Sequence, residues 1–275
     1  MRIGAIITGR TLLYAVLSFF AAMILTPFLW TIYASFVRND FLVNEFPHQL
    51  INYGLSNYTF VLRHSQVGRW YVNSLIVTAA LLLGNLTCNT MAGYALARLR
   101  FPLRSVIFVI VVATMAVPPQ VLFVPIFIIV AKLGWLNSYF GLTIPFLVNP
   151  FGVFLMRQYF LNFPNELEDA GKIDGLSHWG IFRRLALPLA GPALATQAIF
   201  IFVWNWNSFV FPSIIATSSN MYTLPVGIYE ITHTSYSNHV AKAAAGVVLM
   251  TIPTVAIFGL LQRHFVRNLV GIGTE

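Results

Sequence analysis

Long apolar runs separated by short polar connections dominate the chain. Six stretches, 12–36, 71–97, 105–131, 139–161, 190–215 and 243–261, have no acidic or basic residue near their centres. Most exceed the roughly 20 residues that a helix needs to cross the hydrocarbon of a bilayer. They are too long and too continuous for barrel strands, which alternate over about ten residues. In lipid, backbone N–H and C=O groups are satisfied only inside helices or closed barrels. The pattern therefore predicts an all-α, polytopic transmembrane bundle of six spans, forming one domain over residues 1–275. Pro27, Pro118, Pro119, Pro125, Pro145, Pro150 and Pro253 mark expected kinks, because proline removes a helical N–H and crowds the preceding turn. The stretch from Pro118 to Pro125 is the weakest helix of the set.

Composition sharpens this. Of 275 residues, 58% are hydrophobic and 9% charged, against roughly a quarter charged in soluble domains, too little charge to cover a soluble body of this size. A net charge of +8 in a soluble chain would suggest nucleic acid. Here the basic residues cluster at the ends of apolar runs, so they report topology and exclude a nucleic-acid partner. Arg2, Arg10, Arg98, Arg100, Arg104, Arg157, Lys172, Arg183, Arg184, Arg263 and Arg267 fall on one side; Arg38, Arg63, Arg69, Lys132 and Lys242 fall on the other. The excess of eleven to five predicts a multi-pass protein of the cytoplasmic membrane with both termini in the cytoplasm. The first run, preceded by Arg2 and Arg10, resembles a signal peptide. It is too long and has no small-residue cleavage site, so it is expected to remain as the first span.

The longest connection on the cytoplasmic side, 162–189, holds four of the eight acidic residues: Glu166, Glu168, Asp169 and Asp174. Pro164 and Asn165 suit a helix start, Asp174 and Gly175 a turn, and Ser177 the cap of a second helix, with Pro188 marking the approach to the fifth span. Two short helices meeting at a glycine would project as a compact knob. The first of them would present Leu167, Ala170 and Ile173 at three-residue spacing, with Glu166 and Asp169 on a neighbouring side.

Several chemistries are excluded. No glycine-rich loop ends in Gly-Lys-Ser or Gly-Lys-Thr, so any nucleotide must sit on another chain. The histidines (His48, His64, His178, His233, His239, His264) lie in loops or at membrane borders without zinc-binding spacing. Cys88 has no cysteine partner and reads as a small packing residue. The expectation is no metal and no cofactor on this chain. The spans offer no nucleophile with a base and no paired carboxylates, which disfavours a membrane-embedded enzyme. Without an ionisable residue at a span centre, a proton- or sodium-coupled carrier is disfavoured too.

What the spans do carry is neutral polar groups: Asn85 and Asn89 one turn apart, then Gln120, Asn149, Gln197, Asn205 and Asn207. Such side chains bond a hydroxylated solute without burying charge, and equally bond neighbouring helices. Trp204 and Trp206 suit either a sugar face or an interfacial anchor. Asn85, Asn89, Asn149, Trp206 and Asn207 are the candidates for a solute path.

The segment NELEDAGKIDGLSHWGIFRRLALPL resembles the signature loop of binding-protein-dependent ABC importer permeases: Glu-Ala-Ala, three residues, Gly, nine residues, Ile, one residue, Leu-Pro. In register, Asp169, Ala170 and Gly171 take the first three places, Gly175 the glycine and Leu185 the isoleucine, with Leu187 and Pro188 closing it. Gly171 for alanine lowers helix propensity by roughly 1 kcal/mol. The likeness runs through NSLIVTAA, AGYALARLRFPL, VPPQVLFVPIF, LGWLNSYFGLTIP, FLMRQYF, WNSFVFP, YTLPVGIYE and QRHFVRNLV, and is nearest to the second permease of carbohydrate importers, the maltose-transporter type. His239 replaces a usual tryptophan and Asn268 a usual glycine.

The resemblance implies the type I importer permease fold and a transport complex for a sugar or sugar derivative. A related permease chain would form a heterodimer with this one, two ATPase subunits would carry ATP and magnesium, and an extracytoplasmic binding protein would deliver solute. It makes the knob a coupling helix docked on an ATPase, through Glu166, Leu167, Glu168, Asp169, Ala170, Gly171, Ile173, Asp174, Gly175, Leu187 and Pro188. It also makes the outer loop of Thr232, His233, Thr234, Ser235 and Tyr236 a contact for the binding protein.

Overall fold

A computed structural model describes residues 2–38, 53–63, 66–233 and 240–270, with side chains described between 11 and 260. In chain order the first helices are α1 (Arg2–Phe36), α2 (Ser56–Arg63), α3 (Val67–Arg98), α4 (Arg104–Thr114) and α5 (Phe123–Lys132). Then come α6 (Tyr139–Thr143), α7 (Pro150–Leu161), α8 (Asn165–Ile173), α9 (His178–Ile181) and α10 (Leu187–Leu189). The last are α11 (Gly191–Trp206), α12 (Val210–Ile215), α13 (Leu224–His233) and α14 (Val240–Val270). Among the described residues the β pairing is one isolated bridge, Val37 with Tyr53. The chain divides into two compact units, residues 1–67 with 228–252 and residues 68–227 with 253–275.

In the first unit, α1 turns an apolar surface outward: its stretch Thr11–Phe36 has a mean hydropathy of 2.2, and 0% of its most apolar window is buried. Lipid or another chain must cover such a surface. Its C-terminal end is anchored. The Asn57 amide donates to the carbonyls of Ser35 (2.9 Å) and Val37 (2.8 Å), closing orphan acceptors at the helix C-terminus. Ala34, Val37, Ala241 and Ala244 pack around that point.

The second unit is built on α3, long and apolar enough to cross a membrane unbroken. The expected kinks are sharper than kinks. Residues Arg104–Thr114 and Pro119–Lys132 meet at 95°, Tyr139–Phe146 and Pro150–Leu161 at 41°, and His178–Leu189 and Gly191–Trp206 at 74°. The widest bend falls at Pro118 and Pro119, where two successive N–H groups are missing. Pro150 instead starts α7, with Asn149 capping it through the Gly152 N–H. Pro27 and Pro253 lie inside continuous helices. Among the described residues three helices are long and apolar enough to cross alone, or up to six spans form if each bent pair counts as one.

The expected fifth span, 190–215, is interrupted. α11 ends at Trp206 and α12 begins at Val210. At the end of α11 the Asn207 side-chain amide donates to the Val203 carbonyl (2.8 Å), occupying an acceptor at the helix C-terminus. At the other end, the second knob helix runs on through a wide π turn, Phe182–Ala186, into Pro188, so Pro188 lies within helix rather than at a boundary loop.

Among the described residues of this unit, two apolar clusters stand out. Val77, Leu81, Val130, Leu142, Phe211 and Ile215 form one. The other, Tyr94, Ala97, Met156, Phe160, Phe163, Phe182, Ala186, Ala190 and Ala193, joins α3, α7 and α11 to the knob. Phe160 and Phe182 stand 5.3 and 4.9 Å from the Tyr94 ring, distances at which aromatic pairs add to simple burial.

Candidate functional site

The knob is two helices closed by a glycine turn. α8 begins after Pro164, and its acidic first turn, Glu166 and Glu168, complements the helix N-terminus. It ends in a Schellman motif: the Leu176 N–H donates to the Gly171 carbonyl (2.9 Å) and the Gly175 N–H to the Lys172 carbonyl (3.0 Å). Gly175 sits at φ +77°, where a side chain would be strained. The Ser177 hydroxyl accepts from the Gly180 N–H (3.2 Å) and caps α9.

The expected coupling residues divide into two sets. Glu166, Leu167, Asp169, Ala170, Ile173, Asp174 and Gly175 are exposed, and Ile173 reaches 87%. With Leu167, 40% exposed, it gives the outer side of α8 an apolar strip. Glu168 and Gly171 face inward. Glu168, 7% exposed, is clamped by Arg98 at the end of α3, with Nη2–Oε2 at 2.6 Å and Nε–Oε2 at 2.7 Å. Arg98 also donates to the Asn165 Oδ1 (2.6 Å), and Lys172 closes on the other carboxylate oxygen at 3.1 Å. Burial pushes the Glu168 carboxyl up, but hydrogen bonds and charge from Arg98 and Lys172 outweigh it and hold the group below its ordinary value. Bonds to Asp169 and Glu168 raise the Lys172 ammonium. Gly171 is a packing glycine: a Cβ there would lie 2.9 Å from Leu185 Cδ1 and 3.2 Å from Ile181 Cγ1. Leu187 is half-buried and Pro188 exposed.

The structure thus separates an exposed face from an internal clamp. Sequence reasoning used Arg98 only as a topology marker. Its position at the last turn of a span, 70 residues before a carboxylate, carries no local signal of pairing.

Within the second unit, α3, α7 and α11 border a cavity of about 510 Å³. Asn85 and Asn149 line it, whereas Asn89 is fully buried behind. These three amides work as a chain. Asn85 donates to the carbonyls of Leu81 (2.9 Å) and Phe146 (2.7 Å), Asn89 donates to the Asn85 Oδ1 (3.2 Å), and the Asn149 N–H donates to the Asn89 Oδ1 (3.1 Å). They satisfy the carbonyls and amides freed where the chain bends into α7. Gly152 lets the helices meet there, since a Cβ would collide with the side-chain nitrogens of Asn89 and Gln197.

Trp206 and Asn207 do not reach the cavity. Trp206 is 1% exposed, 5.4 Å edge-to-face from Tyr71 and 5.6 Å from Phe202; Asn207 is exposed and ends α11. Their neighbours Trp204 and Asn205 line the cavity instead, with Gln197, Ser208 and Thr223. The helical rotation of about 100° per residue decides which of two tryptophans two positions apart is buried in the core and which stands at the cavity edge, and sequence cannot set that phase without a neighbouring helix.

The expected binding-protein loop begins earlier than the structure allows. Thr232 and His233 are the last turn of α13: the Thr232 hydroxyl donates to the Ile228 carbonyl (2.8 Å) and the His233 ring stacks on Tyr229 at 4.1 Å. These i−4 contacts carry the helix to its end. Thr234, Ser235, Tyr236 and His239 lie outside the described residues, as does the Asn268 side chain. No cluster of three metal-ligating side chains occurs among the described residues.

The architecture is that of a helical protein with several membrane-crossing segments. Residues 89–271 match the family model for the inner membrane component of binding-protein-dependent transport systems, and the chain belongs to that family. It is 34% identical over 265 residues, 94% of each chain, to the arabinooligosaccharides transport system permease protein AraQ of Halalkalibacterium halodurans. Over 204 residues, 74% of this chain and 73% of the relative, it is 34% identical to the sn-glycerol-3-phosphate transport system permease protein UgpE of Yersinia pestis. A chain of a bacterial ABC transporter involved in the import of the acidic polysaccharide alginate shares the fold, with a TM-score of 0.81, 24% identity and coverage of 96% and 97%. A chain of the alginate transporter in complex with its oligosaccharide-bound periplasmic protein aligns at a TM-score of 0.71 and 14% identity. The importer permease fold and the multi-pass inner-membrane character expected from sequence both stand.

Proposed function

We propose that this chain is a channel-forming subunit of an ATP-driven importer for a sugar or sugar derivative, coupled to ATPase chains through the 162–189 knob. The relatives' substrates, an arabinooligosaccharide and a glycerol phosphate, support the solute class. The observation that carries the coupling is structural. The knob is joined to α3 by the Arg98–Glu168 pair and to α3, α7 and α11 by the Tyr94–Phe160–Phe182 core, and those three helices border the cavity. A push on the exposed Leu167, Ala170 and Ile173 face therefore reaches the cavity through packed contacts that rearrange as a rigid body.

In this reading both termini and the knob are cytoplasmic. A related permease completes the channel, and the otherwise uncovered α1 suits a lipid or partner contact. Two ATPase subunits hold ATP and magnesium, this chain binds neither, and an extracytoplasmic binding protein delivers solute near residues 232–236. The test is the complete complex in vesicles. ATP-dependent, binding-protein-dependent sugar uptake is expected, and Asp169→Lys or Gly175→Trp should lower ATPase attachment or solute-stimulated hydrolysis while the permease pair still assembles. Full uptake with stably bound ATPase in both variants removes the coupling role from the knob. Uptake that persists with inactivated ATPase sites makes the chain a secondary carrier.

A further inference from the structure

The turn between α3 and α4 closes a hollow of about 460 Å³, lined by Arg100, Phe101, Leu103, Arg104, Ser105 and Val106. It lies on the knob's side of the membrane, since Arg98, two residues before it, pairs with Glu168 in α8. Leu103 adopts φ +63°, a left-handed conformation uncommon outside glycine, and the turn it makes sets Arg100 and Arg104 on one hollow.

Charge there is unbalanced. The acids of the nearby knob are taken up by Arg98 and Lys172, and among the described residues Arg100, Arg104 and Arg157 have no carboxylate partner. Arg104 is fixed by the Leu99 carbonyl, to which its Nη1 donates at 2.9 Å. Arg157 is fixed by the Leu96 carbonyl (Nε, 3.3 Å) and by the Phe108 ring, whose centre lies 3.7 Å from the guanidinium carbon. These two like charges are near enough to repel one another. Arg100 is exposed and has no partner among the described residues. Guanidiniums held in place with N–H donors to spare are a preformed site for an anion. The first turn of α4, which has no side-chain cap, adds backbone donors, a smaller contribution than two full charges.

The hollow is not polar throughout. Leu103 and Val106 form part of its wall, and from Val106 an apolar strip continues along α4 through Val109 and Ile110, each more than half exposed. These lie three and four positions on and therefore share a face. A free phosphate would use only the charged end. A phospholipid uses both, its phosphate against the guanidiniums and an acyl chain along the strip, and the bilayer supplies it at this depth.

We propose that Arg100 and Arg104, with Ser105, hold the phosphate of an anionic phospholipid whose acyl chain lies along Val106, Val109 and Ile110. Arg157 adds positive potential behind them, which favours a net negative head group over a zwitterionic one. The site shares no lining residue with the cavity bordered by α3, α7 and α11 and does not depend on what the chain transports. In the sequence Arg100 and Arg104 mark sidedness alone; the fixed guanidinium, the missing carboxylate and the adjoining strip are visible only in the fold.

The test is lipid retention, read by native mass spectrometry on the protein purified from its membrane with the subunits that accompany it. The probes are phosphatidylglycerol and phosphatidylcholine, titrated in mixed micelles. Wild type is expected to hold phosphatidylglycerol in preference to phosphatidylcholine. Arg100→Gln combined with Arg104→Gln should weaken phosphatidylglycerol retention about tenfold or more, the effect of two juxtamembrane charges, and leave phosphatidylcholine unchanged. Arg100 supports nothing else in the fold, so Arg100→Gln alone should show a severalfold loss even if the double variant fails to assemble. Arg183→Gln with Arg184→Gln, an exposed basic pair on the same side, is the control and should change nothing. Inorganic phosphate should fail to displace the lipid. Unchanged retention in the Arg100 variant overturns the site, and so does an equal loss in the control pair, which means diffuse attraction to the membrane surface. Displacement by inorganic phosphate makes it a site for free anions and overturns the lipid assignment. No arm reads uptake, so the result stands apart from the importer reading.

Discussion

Arg98 and Glu168, 70 residues apart, meet at 2.6 Å and join the longest helix of the second unit to the inner side of the knob. Breaking one partner of a largely buried, hydrogen-bonded pair costs more than the pair contributes, because the survivor is left without compensation. Arg98→Ala and Glu168→Gln should each destabilise the assembled complex by about 2 kcal/mol, and the double variant by less than their sum. A double-mutant cycle on thermal unfolding measures the coupling; strict additivity would show that the two residues act independently.

The same pair sets a pH dependence. Glu168 is held below its ordinary value in the folded state, so its contribution is complete above the unfolded carboxylate pKa and is lost as pH falls through the lowered folded value. At neutral pH the clamp is closed. Wild type should lose melting temperature below the usual glutamate range more steeply than Glu168→Gln, and parallel curves would remove Glu168 as the group responsible.

Gly171 and Gly175 are glycine for different reasons, and substitution separates them. Gly171→Leu must displace Leu185 and Ile181, which should impair knob packing and ATPase attachment. Gly175→Ala meets no atom and is opposed only by its φ of +77°, a cost of about 1 kcal/mol. Gly175→Asn should be milder still, since asparagine tolerates that conformation. Limited proteolysis of the 162–189 segment ranks the three; equal sensitivity would contradict the distinction.

Asn89 and Gln197 both crowd Gly152, yet they should behave oppositely. Asn89 is fully buried with its amide used twice, so Asn89→Leu leaves the Asn149 N–H and the Asn85 carbonyl oxygen unpaired, at about 1–3 kcal/mol each. The melting temperature should fall clearly, where Gln197→Met holds it. Equal effects would deny the division between a bonded buried amide and one without a hydrogen-bond partner.

Topology is open to direct labelling. In a Cys88→Ser background, needed because Cys88 is exposed, cysteines at Ser56 and Ser235 should react with an impermeant reagent applied outside intact cells, and one at Ser177 should not. Reaction at 177 would invert the orientation and with it the coupling role.

Much of this molecule is set one residue at a time. The apolar runs specify helices in lipid because the backbone has no other way to satisfy itself there, and the prolines at 118, 119 and 150 specify where those helices break. The knob was legible almost to the atom: Pro164, Ser177 and Gly175 act through local bonds and a local φ, and local interactions are written in local sequence. What sequence did not determine is which side of each helix meets another. Glu168 and Asp169 are adjacent acids; one is clamped by Arg98 and the other faces outward, and nothing in the spacing of the knob assigns them. Trp204 and Trp206, two residues apart, differ in the same way, one at the cavity wall and one buried against Tyr71 and Phe202. Gln197 is the strongest case, since the absence of a partner is a property of every surrounding element at once. Burial, pairing and unspent hydrogen bonds depend on contacts between segments far apart in the chain, and only the packing of α3, α7 and α11 brings those segments together.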